Sequence, residues 1–311
     1  MTAHDDMASL ETPVAAPGIL TATRPFYWSV RRELWENRSL HIAPLAVAAL
    51  AFLGFLISTI GMPERRRAVL AMDPAHQIHA VAQPYDFAAV AVIVTMIVVG
   101  MAYCLGALHG ERRDRSILFW KSLPVSDLTT VLAKAAVPFV ILPVIATVII
   151  VATQLVMLVW SALILMISGV SPITPLPLLQ MTVVLLYGLA TMTLWYAPVY
   201  GWMLLVSGWA RRVPFLWAVL PPLALCLVEK LAFNTTWLIR LLGDRLSGGY
   251  VHAFVTHPHV PGKGPPHVPM VGLAELDPGK FITSPGLWIG LVIGAACLAA
   301  AVRLRRLHEP I

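Results

Sequence analysis

A series of long apolar runs limits what this chain can fold into. Hydrophobic residues make up 58% of its 311 residues and charged residues only 12%, whereas a soluble domain carries about a quarter charged residues. Each run offers close to the ~20 residues that an α-helix needs to cross a bilayer. The sequence therefore predicts one all-α membrane domain with connecting loops rather than two soluble domains.

Six spans are expected, at about residues 41–61, 87–108, 128–168, 178–210, 213–233 and 286–302. The third run is ambiguous, because a single straight helix of that length would measure about 60 Å, twice the hydrocarbon thickness. It is either one long helix kinked near Pro138 and Pro143 or two spans with a tight turn. A single span keeps the basic groups that border the runs on one side of the membrane, as the positive-inside rule favours, and we adopt it.

Basic residues lie in small groups at the ends of the apolar runs, at 31–32, 112–113, 211–212 and near the C-terminus. This placement is typical of orientation signals, whereas a nucleic-acid surface interleaves basic and aromatic residues along one face. With six spans, fourteen of the twenty-two Lys and Arg residues fall on the inner side, and the Arg65–Arg67 triplet is an exception. We therefore expect no nucleic-acid partner, and we expect both termini, including a tail at 304–311, to be cytoplasmic.

The N-terminal arm divides into a polar tail and an amphipathic segment. Residues 1–23 contain little to bury and are expected to be a disordered cytoplasmic tail. They show no cleavable signal peptide, so the first span is expected to be an uncleaved anchor. In residues 24–39, Phe26, Val30 and Leu34 form one stripe, with charged residues on other faces. This pattern favours a helix lying in the headgroup plane, with a juxtamembrane helix in solution as the alternative.

The largest hydrophilic segment is an expected outer segment at 234–284, which contains His252, His257, His259 and His267. No acid or thiol lies among these histidines, so a solvated loop is favoured over a metal site. The three cysteines all lie inside apolar runs, which indicates neither a disulfide framework nor a zinc site. We expect no metal and no cofactor.

Ionisable residues are nearly absent from the spans, although ion-coupled carriers and proton pumps usually keep such groups at membrane depth. Glu229 and Lys230, at the end of the fifth run, are candidates for an outer gate, with an ordinary interfacial pair as the alternative. The two Gly-Lys pairs, at 262–263 and 279–280, lack the residue spacing of a phosphate-binding P-loop. The energy source is therefore expected in a separate chain.

A charged segment at 110–127, GERRDRSILFWKSLPVSD, separates the second and third runs. Its first half carries both signs of charge, and its second half carries apolar and aromatic side chains until Pro124 ends the helix. Such a helix suits docking into a groove on a partner, and a loop whose charges only set topology is the alternative. Ser126 or Asp127 can cap the helix that follows. The candidate contact residues are Glu111, Arg112, Arg113, Asp114, Arg115, Leu118, Phe119 and Trp120.

Three elements of this region form a pattern: Glu111-Arg112, the run Leu-Pro-Val-Ser at 123–126, and Lys134. With the rest of 108–139, this pattern resembles the segment between the second and third spans of ABC-2 type transporter permeases. The expected architecture agrees along nearly the whole chain, because that family also has an interfacial N-terminal helix, six spans and a large outer segment before the sixth.

The resemblance implies that two permease copies or paralogues pair in a prokaryotic inner membrane, surrounded by lipids, and that each docks on a cytoplasmic ATP-binding subunit. It implies that residues 111–120 are the coupling helix and that spans one, two and five line the substrate path. The expected function is therefore that of a transport subunit, an exporter and not itself an enzyme. One alternative is a stand-alone intramembrane enzyme or assembly factor acting through its His-containing outer loop, and another is a scaffold subunit.

Overall fold

A computed structural model describes residues 23–70, 74–113, 126–169, 178–247, 249–254, 273 and 276–307. Within these ranges nearly every residue is helical, and the β-structure is limited to one isolated antiparallel bridge between Phe254 and Leu276. The tail expected at 1–23, apart from Thr23, lies outside the described residues. So do most of the His-containing loop and the centre of the charged segment, residues 114–125.

The helices are α1 (Thr23–Glu36), α2 (Ser39–Ser58), α3 (Met62–Leu70), α4 (Pro74–Arg113), α5 (Asp127–Ala136), α6 (Leu142–Ile167), α7 (Leu178–Trp195), α8 (Ala197–Trp209), α9 (Pro214–Phe233), α10 (Trp237–Ser247), α11 (Gly249–Ala253), α12 (Pro278–Thr283) and α13 (Pro285–Leu307). A 3-10 turn at Thr59–Gly61 continues α2, and a π-helical turn at Val137–Ile141 joins α5 to α6. Because the last helix ends at Leu307, it extends into the tail expected at 304–311.

Five helical segments are long and apolar enough to cross a membrane: Ser39–Gly61, Ala80–Glu111, Asp127–Ile167, Pro214–Phe233 and Pro285–Arg306. The consecutive helices α7 and α8 pass the same test together but are bent by 48° where they meet. The prediction of a helical, multi-pass membrane protein is thus confirmed at this level. The count becomes six if the bent pair is one span.

The third apolar run forms one continuous helical segment of 41 residues, Asp127–Ile167. At 1.5 Å per residue it extends about 60 Å. Its single irregularity within this range is the π-helical turn Val137–Ile141, which contains Pro138 and is followed by Pro143. Because proline donates no backbone hydrogen bond and its ring crowds the carbonyl four residues earlier, the ladder widens here without breaking.

The bend between α7 and α8 has a similar cause. Pro198 has no N–H to donate, and the Val199 N–H bonds the Tyr196 carbonyl at 3.0 Å instead of the Trp195 carbonyl that a regular α-helix would use. The Trp195 carbonyl is therefore released from the helical ladder and is free to accept from another part of the chain.

Helices α8 and α13 pack with their backbones in contact. A Cβ added to Gly201 would lie 2.9 Å from the Gly294 carbonyl oxygen, and one added to Gly294 would lie 3.0 Å from the Ala197 carbonyl oxygen. Gly290 and Gly294 stand four residues apart on α13, the small-residue spacing that allows close approach of membrane helices. This contact fixes α13 against α8 along the centre of the bundle.

Candidate functional site

The Glu111 carboxylate lies at the end of α4 and is the meeting point of two cations. The side chain is 7% exposed. Its Oε2 accepts a 2.8 Å hydrogen bond from Arg305 Nη1, near the end of α13. Its Oε1 lies 3.1 Å from Lys134 Nζ on α5. Glu111 therefore ties α4 to both α5 and α13.

Arg305 also binds the last residue of the charged segment, Asp127. Its Nε donates a 2.9 Å hydrogen bond to Asp127 Oδ1, at the start of α5. One guanidinium thus holds Glu111 and Asp127, which lie at the two ends of the segment. The two ends of residues 112–126 are consequently fixed to each other and to α13.

Lys134 extends the arrangement to the N-terminal helix. Its Nζ donates a 2.7 Å hydrogen bond to Glu33 Oε1 on α1, and the Tyr103 hydroxyl on α4 donates a 2.7 Å hydrogen bond to Glu33 Oε2. Lys134 is only 3% exposed and Glu33 only 4%. Glu33 was expected on a polar face of an amphipathic helix, and the structure turns it inward instead.

We call these six residues the charge node: Glu33, Tyr103, Glu111, Asp127, Lys134 and Arg305. It contains three carboxylates and two cations, so it carries one net negative charge when all are ionised. Buried charges are tolerated only when they are paired and hydrogen-bonded, and each of the five is. Removing one partner of such a pair leaves an uncompensated charge and costs far more than the pair contributes.

The local structure of α5 places Asp127 and Lys134 so that both reach the charge node. The Ser126 side chain caps α5 by accepting from the Thr129 N–H at 3.1 Å, as the sequence suggested. Asp127 and Lys134 are seven residues apart, close to two helical turns, so they share one face of α5. At the end of α4, the Ser207 hydroxyl of α8 accepts 2.9 Å hydrogen bonds from the Leu108 and His109 N–H groups, which fixes the turn that carries Glu111.

The predicted contact residues of the charged segment fall into three groups. Glu111 belongs to the charge node. Arg112 and Arg113 form the last turn of α4, and their side chains are outside the described part of the chain. The remaining members, Asp114, Arg115, Leu118, Phe119 and Trp120, lie outside the described residues altogether.

Glu229, one of the two outer-gate candidates, caps α10. Its Oε1 accepts from the Trp237 N–H at 2.7 Å and its Oε2 from the Leu238 N–H at 2.8 Å. The Thr235 hydroxyl donates a third bond, at 2.6 Å, to Oε1. Lys230 is exposed. The carboxylate therefore has a structural task at the turn between α9 and α10, whatever else it does.

A second cluster surrounds Trp195 at the bend between α7 and α8. The Arg245 guanidinium of α10 lies 4.4 Å from the centre of the indole, and the His252 ring stacks on the indole with centroids 4.9 Å apart. Nε2 of His252 lies 3.5 Å from Asp244 Oδ1. We call Trp195, Asp244, Arg245 and His252 the tryptophan clasp.

Arg245 binds the Trp195 carbonyl that the bend releases, and it binds a carbonyl of α13 as well. Its Nη1 donates to the Trp195 carbonyl at 3.2 Å, and its Nη2 donates to the Gly286 carbonyl in the first turn of α13 at 2.6 Å. A Cβ on Gly290 would lie 2.6 Å from Nη2, so a larger residue there would displace the guanidinium from this position. Desolvation lowers the pKa of Arg245 while the Asp244 carboxylate raises it, and an arginine remains charged in either case.

The charge node and the tryptophan clasp lie at opposite ends of α13. Gly286 contacts the clasp and Arg305 belongs to the node. Their separation of nineteen positions along the helix corresponds to about 28 Å. This distance is close to the thickness of the hydrocarbon core of a bilayer, so the two clusters lie about one core thickness apart along this candidate span.

Comparisons of this chain with protein-family models, with curated proteins and with solved structures found no match.

Proposed function

We propose that this chain is the membrane-spanning permease subunit of an ABC-2 type ABC transporter, an exporter that couples ATP hydrolysis by a separate cytoplasmic subunit to movement of a substrate across the membrane. The observation that carries the proposal is the double contact of Arg305 with Glu111 and Asp127. A segment that grips a partner must have rigid ends if it is to transmit force, and this contact provides them.

The charge node supplies the path along which such a force would spread. A displacement of residues 112–126 acts on α4 through Glu111 and on α5 through Asp127. Arg305 passes it to α13, and Lys134 with Glu33 passes it to α1. Since packed helices move as rigid bodies, one partner subunit could reposition four helices through this network.

A second copy of the chain, or a paralogue, is part of the proposal. In the most apolar stretch of α9, 11% of the residues are buried. In the corresponding stretches of the other four candidate spans, 22–39% are buried. Lipid can cover such a helix, and so can a partner helix that packs against it, which leaves α9 available for contact with a second copy. This supports a substrate path between paired permeases that includes the fifth span.

The proposed topology has six spans, with the bent pair α7–α8 as the fourth, and with both termini in the cytoplasm of a prokaryotic cell. The charge node and the charged segment then face the cytoplasm, where an ATP-binding subunit would dock. The tryptophan clasp and the outer segment face the opposite side. In this proposal the chain has no ATPase activity of its own.

The test is affinity purification of the tagged chain from native membranes in a mild detergent. We expect an ATP-binding subunit with a P-loop to co-purify, and Trp120→Ala combined with Arg115→Glu to reduce its yield at least tenfold. Trp237→Ala, which removes an exposed tryptophan of α10, is the matched control and should leave the complex intact.

Intact assembly and transport in the segment variant would overturn the proposal. If the chain instead works without any ATPase and loses activity on His257→Ala with His259→Ala, the alternative of a stand-alone intramembrane enzyme or assembly factor gains the support.

A further inference from the structure

The outward face of α1 carries an arginine held between two tryptophans. The Arg31 guanidinium carbon lies 5.2 Å from the centre of the Trp28 indole and 4.7 Å from that of Trp35. The two tryptophans are 58% and 68% exposed, and Tyr27 packs edge-on against Trp28. These contacts limit the rotamers of Arg31, so its planar fork of donors is held in place before any ligand arrives.

This face carries positive charge that the helix does not neutralise. Both acidic residues of α1 are engaged elsewhere: Glu33 points inward to Lys134, and Glu36 pairs with Arg32. Arg31 is left among aromatic rings, and the exposed Arg38 follows two residues after the helix ends. The surface therefore suits an anionic group that is attached to an apolar part of the same ligand.

The position of α1 defines what that anion belongs to. The helix ends at Glu36, and α2, a candidate membrane span, begins at Ser39. The first turns of α2 expose Ile42 and Leu45, as a helix facing lipid tails does. The Arg31 face therefore lies at the level of the lipid headgroups, where tryptophans concentrate in membrane proteins.

We propose that Trp28, Arg31 and Trp35 form a binding site for the phosphate of an anionic phospholipid headgroup, in the leaflet that borders the charge node. The guanidinium donates two parallel hydrogen bonds to phosphate oxygens, and the two indoles lie at the boundary between headgroups and acyl chains. The site depends only on the membrane-spanning character of the chain and not on the proposed transport function.

The site has a mechanical link to the charge node. Glu33 enters the node from the opposite face of the same 14-residue helix. An anionic lipid seated on Arg31 therefore acts on a helix whose other face is bonded to Lys134 and Tyr103.

The test is native mass spectrometry of the purified full chain, titrated in detergent with dioleoyl phosphatidylglycerol or with dioleoyl phosphatidylcholine. We expect the first phosphatidylglycerol to bind about fivefold more tightly than the first phosphatidylcholine, and Arg31→Gln to abolish this preference. Arg31→Lys keeps the charge without the fork and should retain part of it. Arg67→Gln, which removes an exposed arginine from α3 at the other end of α2, should leave the preference intact.

Equal binding of the two lipids by the unchanged chain would overturn the proposal. An effect of Arg67→Gln as large as that of Arg31→Gln would also overturn it, because the preference would then reflect overall charge. A change in self-association with Arg31→Gln at constant phosphatidylglycerol binding would identify the face as a contact between protein chains, against the proposal.

Discussion

Arg305 donates a 2.8 Å hydrogen bond to Glu111 although 194 residues separate them in the sequence. The bond joins the end of the last helix to the end of α4, at the start of the charged segment. Because Arg305 reaches Asp127 with its Nε as well, the last helix holds both ends of the segment. The integrity of the charge node should therefore depend on Arg305 more than on any other basic residue near the C-terminus.

Arg305→Gln should lower the free energy of unfolding by about 3–5 kcal/mol, because it leaves the buried Glu111 and the partly exposed Asp127 with fewer positive partners. The adjacent Arg306→Gln removes an exposed charge and should change stability by less than about 0.5 kcal/mol. Unfolding by titration with sodium dodecyl sulfate in mixed micelles measures the free energy of unfolding of both variants. Combining Glu111→Gln with Arg305→Gln should cost less than the sum of the single changes, and strict additivity would contradict the pairing.

Tyr103→Phe should destabilise the chain by about 1.5–3 kcal/mol, since the hydroxyl donates to a buried carboxylate, Glu33. Tyr27→Phe is the control, because Tyr27 is 58% exposed and outside the node. Its effect should lie within about 0.5 kcal/mol of zero. The same titration in mixed micelles measures both effects. Equal effects of the two substitutions would argue against the hydrogen bond from Tyr103 to Glu33.

Gly294→Ala should separate α8 from α13 and cost about 1–3 kcal/mol, because its Cβ would lie 3.0 Å from the Ala197 carbonyl oxygen. Gly54→Ala is the matched control on α2, where no atom lies within 4 Å of an added Cβ. That substitution should be neutral or slightly stabilising, since alanine favours a helix by about 1 kcal/mol over glycine. Thermal unfolding of the two purified variants gives the comparison.

Arg245→Gln should loosen the tryptophan clasp by removing the donors to the Trp195 and Gly286 carbonyls together with the cation–π contact. We expect a loss of about 1–3 kcal/mol and faster hydrogen exchange at residues 195–200. Arg240→Gln, an exposed arginine on the same helix, should leave both unchanged. Exchange that stays slow in Arg245→Gln would show that the bend does not need the guanidinium.

Glu229→Ala should speed hydrogen exchange at the Trp237 and Leu238 amides, which the carboxylate caps, and should leave the other helices protected. Lys230→Ala, the exposed neighbour, should change neither amide. If Glu229 is instead an outer gate, its removal should alter transport while exchange at α10 stays the same. Hydrogen exchange with mass spectrometry, paired with a transport assay, separates the two roles.

The local features of the chain were readable from its sequence. Long apolar runs predicted the membrane helices, and the two prolines in the third run predicted where its helix becomes irregular. Ser126 and Asp127 were both candidates for the cap of α5, because short polar side chains before a helix satisfy its first N–H groups, and the structure selects Ser126. In each case the signal and its consequence lie within a few residues of each other.

The charge node was not readable in the same way, because all but one of its contacts join residues about 70 to 200 positions apart. Glu33 looked like one charge among several on a surface helix, and Arg305 looked like an orientation signal. The clearest sign was Lys134, the one formally charged residue of the run 128–168. A lysine so placed must find a carboxylate or leave the apolar region, but the sequence does not say which carboxylate it meets.

The charge node and the tryptophan clasp restrain α13 at both of its ends. Its first turn is held by Arg245 and its last turn holds Glu111 and Asp127, while Gly294 presses its middle against α8. A helix that is bonded at both ends and closely packed at its middle cannot slide along its own axis while these contacts persist. Any movement that shifts α13 along its axis must therefore carry the charge node, α8 and the tryptophan clasp with it, or break the contacts at one end.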